Sequence, residues 1–186
     1  DVLLIDVQGN YPTDPEVPDN FLANSVRITV GAGGNGRIDY ATGFVEPQEI
    51  QVGRLSGIEE FRLADDSNSL IFDATGSTTV FGGAGRDWFQ SAEGNQVITG
   101  GGGADDYLFR WEPGMDGGRD TIHGFNKAEG DRIGFSLVEG DPLRTTAVEK
   151  AGHTIYTSTE IATGQVVHVL DVDAVGLPAP FQYDLV

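Results

Sequence analysis

Two short segments of the chain place an aspartate at the end of a glycine-rich turn. The first reads GGAGRD from Gly82 to Asp87, and the second reads GGGGAD from Gly100 to Asp105. Glycine-rich turns leave backbone carbonyl oxygens free to converge on one point, and each aspartate adds a carboxylate to them. An all-oxygen donor set suits a hard cation such as Ca²⁺ and is a poor match for zinc or copper. The two segments therefore predict a calcium site.

Both segments belong to a repeat of nine residues. The glycines and the aspartate of the first segment recur 18 residues later in the second. A large apolar residue recurs at half that spacing, at Ile71, Val80, Phe89, Ile98 and Tyr107. The strong copies have the form G-G-x-G-x-D-x-U-x, in which U is apolar. Six residues of each copy would form a turn and three a short strand, with the U side chain facing inward.

Successive copies would alternate between two sheets, so copies 18 residues apart would stack on the same edge. We call the edge with turns 82–87 and 100–105 the aspartate edge, and its candidate ligands are Gly82, Ala84, Gly85, Asp87, Gly100, Gly102, Gly103 and Asp105. The opposite edge, with turns 73–78 and 91–96, has Thr78 and Gln96 at the aspartate position, so we expect it to bind no cation. The turn at 64–69 ends in Ser69. We therefore expect one complete site and at most half of another.

These repeats resemble the repeats-in-toxin (RTX), or haemolysin-type calcium-binding, domain. The resemblance implies an all-β fold, a right-handed parallel β-roll of nonapeptide repeats with flanking β segments and Ca²⁺ in its turns. Residues 117–136 also resemble the segment that closes the roll in serralysin-type C-terminal domains. Asp120 and Asp131 fit that segment and are further candidate ligands, whereas Gly124 and Gly134 stand where the family usually has aspartate.

Three regions are expected along the chain. Residues 1–60 form a β segment leading into the roll, residues 61–110 form the RTX-type roll, and residues 111–186 form the closing segment, a β-hairpin cap and a tail. The hairpin is predicted around Thr163 and Gly164, which lie between two alternating segments. The final residues, FQYDLV, resemble the tail by which proteases of this group are exported through type I secretion. The resemblance implies a secreted, extracellular protein, and the first residue, which is not Met, suggests a fragment of a longer one.

Charge and composition narrow the possible partners. Lys and Arg number 11 against 29 Asp and Glu, a formal net charge of −18 that repels nucleic acid and anionic lipid and attracts cations. The chain has no cysteine, which excludes disulfides and thiolate zinc sites. No apolar stretch approaches the roughly 20 residues of a membrane span.

Motifs of enzymes are absent from the sequence. None of the 3 histidines lies in H-E-x-x-H, and no G-x-S-x-G nucleophile motif occurs. Residues 31–36, GAGGNG, match the dinucleotide pattern, but Gly43 and Pro47 follow and no helical period does, so a β-turn is expected there. An enzyme whose site lies in residues 1–60 stays open as an alternative.

Aromatic and basic residues near the repeats allow a second alternative, a polysaccharide-binding module similar to the repeat modules of alginate epimerases. Its candidate contacts are Arg86, Trp88, Arg110 and Trp111. The function that the sequence favours is a non-catalytic calcium-binding C-terminal domain of a type I-secreted extracellular protein, which folds on Ca²⁺ after export.

Overall fold

The fold is all-β, as the sequence predicts. The computed structural model describes residues 2–5, 24–30, 35–42, 48–58, 60–63, 70–74, 77–91, 93–111, 114–137, 143–177 and 181–184. Within these ranges every regular element is a strand. In the same ranges there is no helix of the length and hydrophobicity needed to cross a membrane. The turn at 64–69, including Ser69, and residues 31–34 of the glycine-rich GAGGNG segment lie outside the described residues.

Short runs of β-branched and aromatic residues, interrupted by Gly, Asn and Asp, produce short strands. In the described part of the chain they are β1 (Val2–Ile5), β2 (Asn24–Val30), β3 (Gly36–Thr42), β4 (Gln48–Leu55), β5 (Glu60–Leu63), β6 (Leu70–Ala74), β7 (Thr78–Phe81), β8 (Trp88–Ser91), β9 (Gln96–Thr99), β10 (Asp106–Arg110), β11 (Arg119–His123), β12 (Arg132–Leu137), β13 (Leu143–Lys150), β14 (His153–Glu160), β15 (Val166–Val172) and β16 (Phe181–Asp184).

These strands form two sheets. The first sheet has the order β1-β5-β7-β9-β11-β15-β14-β13, and the second has the order β16-β12-β10-β8-β6-β2-β3-β4. From β5 to β12 successive strands alternate between the two sheets. Within each sheet, neighbouring strands of this stretch pair in parallel. Strands two apart in sequence are therefore neighbours in space.

Apolar residues at the repeat positions form the core between the sheets. Val80 pairs with Ile98 in the first sheet, and Phe89 pairs with Tyr107 in the second. All four side chains are buried, with at most 1% of their surface exposed. Full burial of such a side chain contributes about 1.5–3 kcal/mol, which makes this apolar ladder a main source of stability.

At its N-terminal end the ladder differs from the predicted nine-residue spacing. Phe72, and not Ile71, is the partner of Phe89, while Ile71 pairs with Trp88. The connection between β6 and β7 has one residue fewer than that between β8 and β9. A shift of one residue exchanges the two faces of a strand, so the sequence assignment of Ile71 to the ladder is wrong.

Parallel stacking continues beyond residue 110, where the nine-residue period ends. Strands β11 and β12 pair with β9 and β10, so that Ile122 lies opposite Ile98 and Ile133 opposite Tyr107. Further along the chain, β15 and β16 pair in parallel with β11 and β12. The connections are longer here, yet the parallel register of both sheets is kept.

Antiparallel strands complete both sheets. In the second sheet β2, β3 and β4 are successive antiparallel neighbours, and in the first sheet β13, β14 and β15 are. The hairpin predicted around Thr163 and Gly164 is the β14–β15 pair. The sequence led us to expect a cap over the end of the roll, whereas β15 also pairs with β11 and so places this hairpin in line with the first sheet.

Candidate metal centre

Three turns stack on the aspartate edge, at the start of β8, β10 and β12. We call them the first, second and third aspartate turns, at residues 82–87, 100–105 and 126–131. Gly102 N donates a hydrogen bond of 3.0 Å to Gly83 O, which joins the second turn to the first. Arg132 N donates one of 2.9 Å to Asp105 O just after the third turn. The backbone itself therefore brings the three aspartates together.

Aspartate carboxylates form a ladder along this edge. Asp87 N donates to Asp105 Oδ1 at 2.9 Å, and Asp105 N donates to Asp131 Oδ1 at 3.0 Å. Within their own turns, Gly83 N donates to Asp87 Oδ2 at 3.0 Å and Asn126 N donates to Asp131 Oδ2 at 2.8 Å. Each carboxylate thus fixes backbone of its own turn, of the preceding turn, or of both.

Two carboxylate oxygens on the aspartate edge have no hydrogen-bond partner among the residues that the structure describes. They are Asp87 Oδ1 and Asp105 Oδ2, on side chains that are 0% and 1% exposed. Burial raises the pKa of both carboxyls from 3.8 to about 7, and for Asp105 the carboxylates of Asp87, Asp131 and Asp106 raise the pKa further. A buried acceptor without a donor costs about 1–3 kcal/mol, and a buried charge more. This pair of oxygens is therefore suited to a bound cation.

Backbone carbonyls of the first turn face the second turn at close range. A β-carbon added to Gly101 would overlap Gly83 O, and one added to Gly103 would overlap Gly85 O and lie 3.2 Å from Ala84 O. Gly101 and Gly103 also have φ angles of 104° and 102°, which only glycine adopts easily. Glycine thus serves two purposes here, the turn conformation and the close approach of carbonyl oxygens.

The predicted ligands of both turns do come together. Gly82, Ala84, Gly85 and Asp87 belong to the first turn, and Gly100, Gly102, Gly103 and Asp105 belong to the second, stacked turn. No cluster of three or more His, Asp or Glu side chains suited to a metal occurs in the described ranges. A cation here would therefore need carbonyl oxygens in addition to the two carboxylates. That mixed set matches the six to eight oxygens that Ca²⁺ takes at about 2.3–2.6 Å.

Asp106, which follows the second-turn aspartate, forms ion pairs with two arginines. Arg86 Nη2 lies 2.6 Å from Asp106 Oδ2, and Arg132 Nη2 lies 2.6 Å from Asp106 Oδ1. Asp106 is 2% exposed, so its charge is compensated in place. These ion pairs link the same three stacked turns.

The opposite edge has a buried carboxylate whose two oxygens both have partners. Gln96 N donates to Asp120 Oδ1 at 2.8 Å, and Asp120 Oδ2 lies 3.1 Å from His168 Nε2. The Gln96 side chain donates to Glu93 O at 2.8 Å and accepts from Ser91 Oγ at 2.5 Å. The structure thus places the candidate ligand Asp120 on this edge, away from Asp87 and Asp105, with both oxygens occupied.

Two residues have a larger part in the aspartate edge than the sequence predicts. Asp131 continues the ladder in register, although the sequence supports it only through the closing segment. The sequence feature that could have indicated this role is the pair Gly130-Asp131, which begins four residues after Asn126. The second residue is Tyr107, assigned to the core, whose hydroxyl is also buried and without a hydrogen-bond partner.

Candidate polysaccharide contacts are dispersed. Trp111 is 5% exposed and lines a cavity of about 10 Å³ together with Phe109, Phe135 and His168. A cavity of this size has room for about one water molecule, and a sugar ring would not fit. Arg86 is engaged by Asp106, and Trp88 and Arg110 are half-buried. Polysaccharide binding stays a prediction that this arrangement does little to support.

Comparison with known proteins adds no identification. No protein-family model matches the chain, and no curated protein matches it at a significant level. The RTX resemblance therefore stays a prediction, carried by the repeat itself. The geometry of the aspartate edge is the observation from which a function is argued below.

Proposed function

We propose that this chain is a non-catalytic calcium-binding domain whose stacked turns form a right-handed parallel β-roll of the RTX type. The observation that carries the proposal is the pair of buried, unpartnered oxygens, Asp87 Oδ1 and Asp105 Oδ2, between stacked glycine turns. Bound Ca²⁺ would supply the positive charge and the coordination that these oxygens lack. The second and third aspartate turns would form a further half site through Asp105 and Asp131.

Coupling between binding and folding follows from the same residues. Asp87 and Asp105 must come close together and leave water when the turns stack, and two like charges in a region of low dielectric repel strongly. The glycines allow the close approach but do not offset that repulsion. A domain of this kind gains order when the cation is present and loses it when the cation is removed.

The coupling is useful in an extracellular setting. Extracellular calcium modules have Kd values of roughly 10⁻⁴ to 10⁻³ M, and free ligand at about 100 times Kd adds about 2.7 kcal/mol of stability. The proposal therefore includes export in a loosely folded state, through a type I secretion system that engages the C-terminal tail, and ordering outside the cell. Ordering of the turns would extend to this tail, because β16 pairs with β12, the strand that follows the third aspartate turn.

A calcium titration of the chain tests this proposal. Metal-free protein is followed by far-UV circular dichroism as Ca²⁺ is added, with Mg²⁺ as the control ion. We expect a cooperative gain of β signal at submillimolar to millimolar Ca²⁺, and little change with Mg²⁺. A chain that is fully ordered without metal and binds no Ca²⁺ by calorimetry would refute the proposal.

Matched variants locate the site. Asp105→Asn keeps an oxygen for the backbone bond from Asp87 but removes the charge, so Ca²⁺ affinity should fall about 10- to 100-fold. Asp120→Asn is the control, because Asp120 is equally buried and accepts a comparable backbone bond from Gln96 on the opposite edge. Equal losses of affinity in the two variants would contradict a site on the aspartate edge.

A further inference from the structure

Tyr107 occupies an apolar position of the repeat, yet it carries a polar atom to the aspartate edge. Its side chain is 1% exposed. The ring stacks on Phe89 with centroids 5.3 Å apart and an interplanar angle of 18°, and it contacts Phe125 at 6.0 Å. Packing on both neighbours fixes the direction in which the hydroxyl points.

The hydroxyl of Tyr107 lies beside the second aspartate turn. A β-carbon on Gly100 would overlap both the Tyr107 hydroxyl oxygen and Asp105 Oδ2, so both oxygens lie next to the same backbone atom. Each of them is buried and has no hydrogen-bond partner. The hydroxyl is thus aimed at the same place as the unpartnered carboxylate oxygen.

Burying a phenol hydroxyl without a partner is unfavourable, so the residue type needs an explanation. The neighbouring ladder residues Val80, Phe89, Ile98 and Ile133 bring no polar atom into the core. Phenylalanine at position 107 would keep the stacking and would not bury a hydroxyl without a partner. A tyrosine here is favourable only if its oxygen gains a partner.

The phenol oxygen is a neutral ligand. An ordinary phenol has a pKa of about 10 and is uncharged at physiological pH. A neutral phenol oxygen adds a donor without adding a third negative charge. Ca²⁺ accepts neutral oxygen ligands together with carboxylates, so the chemistry is compatible.

We propose that the phenol oxygen of Tyr107 is a donor to the cation held between the first and second aspartate turns. The inference rests on the proposed calcium site and adds to it a ligand from the apolar ladder. Tyr107 then links occupancy of the site to packing of the core, because its ring is held between Phe89 and Phe125.

Tyr107→Phe in the full chain tests this role through two measurements with opposite expectations. Calorimetric Ca²⁺ affinity should fall about tenfold, since one oxygen donor is lost. Stability of the metal-free protein in urea should stay unchanged or rise, because an unpartnered buried hydroxyl has been removed. Tyr156→Phe is the control: Tyr156 is also 1% exposed, and its ring packs near Phe135 and away from the aspartate turns. It should leave Ca²⁺ affinity unchanged.

Terbium provides a direct probe, because Tb³⁺ substitutes for Ca²⁺ and emits when a nearby phenol absorbs. Wild-type protein should show tyrosine-sensitised Tb³⁺ emission that added Ca²⁺ displaces. Tyr107→Phe should lose most of that emission, and Tyr156→Phe should retain it. The wild-type excitation spectrum alone would decide the question if Tyr107→Phe did not fold, since a spectrum without a tyrosine band excludes a ligating phenol.

The outcomes separate the two proposals. Wild-type protein that binds neither Ca²⁺ nor Tb³⁺ overturns the proposed function, and the role of Tyr107 with it. Tyr107→Phe that binds Ca²⁺ with wild-type affinity and keeps its sensitised emission overturns only the role of Tyr107. Lower affinity together with lower metal-free stability would also overturn it, because that result indicates a packing role.

Discussion

The two edges of the repeat are built on the same nine-residue period but differ in how their buried polar groups are satisfied. On the opposite edge, the Asp120 carboxylate meets Gln96 N and His168, and the Gln96 amide is bonded at both of its ends. On the aspartate edge, Asp87 and Asp105 each keep one oxygen without a partner. Burial of a carboxylate is common to both edges, so burial alone does not mark a metal site.

A shortage of donors is the property that distinguishes the aspartate edge. Asp120 is 0% exposed, as Asp87 is, yet both of its oxygens have partners. Burial raises the pKa of Asp87 and of Asp105 to about 7. Hydrogen bonds to both oxygens stabilise a carboxylate where it is buried. The turns of the aspartate edge supply glycines instead of side-chain hydrogen-bond donors. One oxygen of each carboxylate is therefore left to coordinate a cation.

The largest effect is expected when the aspartate edge is given the residues of the opposite edge. The double variant Asp87→Thr with Asp105→Gln copies Thr78 and Gln96. Removing both charged donors should lower Ca²⁺ affinity by about 100-fold or more, measured by calorimetry. Gln96→Ala is the control, because Gln96 is buried on the opposite edge, and it should change the affinity less than about twofold. A Ca²⁺ response that survives the double variant would place the site elsewhere in the chain.

A smaller effect is expected from adding a methyl group at the point where the second aspartate turn approaches the first. Gly103→Ala combines a φ angle of 102° with overlap on Gly85 O, so it should lower the free energy of unfolding by about 3 kcal/mol in Ca²⁺. Gly164→Ala is the comparison, because Gly164 has a φ angle of 72° and open space around it. It should cost about 1 kcal/mol through its backbone angle alone. Similar costs in urea denaturation would show that the turns do not approach closely.

The last effect is a pH dependence, which calcium should flatten. Burial raises the pKa of Asp87 and Asp105 from 3.8 to about 7, so folded metal-free protein binds protons that the unfolded chain has released. Their contribution to stability is complete below about pH 4 and is lost as the pH rises through about 7. Metal-free protein should therefore be more stable at about pH 5 than at about pH 8.

Calcium should flatten this trend. Protons and Ca²⁺ compete for the same carboxylates, so the stability that Ca²⁺ adds should shrink as the pH falls below about 7. Urea denaturation at both pH values, with and without Ca²⁺, measures the increment directly. Metal-free protein prepared by dialysis avoids a chelator whose own affinity depends on pH. An increment that is constant across this range would show that Asp87 and Asp105 are not the ligands.

Local pattern made part of this structure predictable. The nine-residue period places Val80, Phe89, Ile98 and Tyr107 in the core, and the structure confirms all four. The same period places the first aspartate turn beside the second. Alternation of side chains in a strand and glycine-rich turns are properties of a few neighbouring residues, which a sequence displays directly.

Other features depend on residues far apart in the chain. Asp120 contacts His168, which lies 48 positions away in the chain, and Asp105 N donates to Asp131, which lies 26 positions away. No fixed period connects these pairs, because the connections after residue 110 lengthen while the register is kept. The shift from Ile71 to Phe72 is of the same kind, since it depends on the length of a connection and the sequence pattern favoured the other residue.

The carboxylate acceptors along the aspartate edge follow one direction. Asp87 depends on Asp105 for the acceptor of its amide, and Asp105 depends in turn on Asp131, which holds its own turn through Asn126. Backbone bonds run the opposite way, from Gly102 N to Gly83 O and from Arg132 N to Asp105 O. Each of these turns is therefore tied to its neighbour in both directions, so we expect the three turns to gain and lose order together.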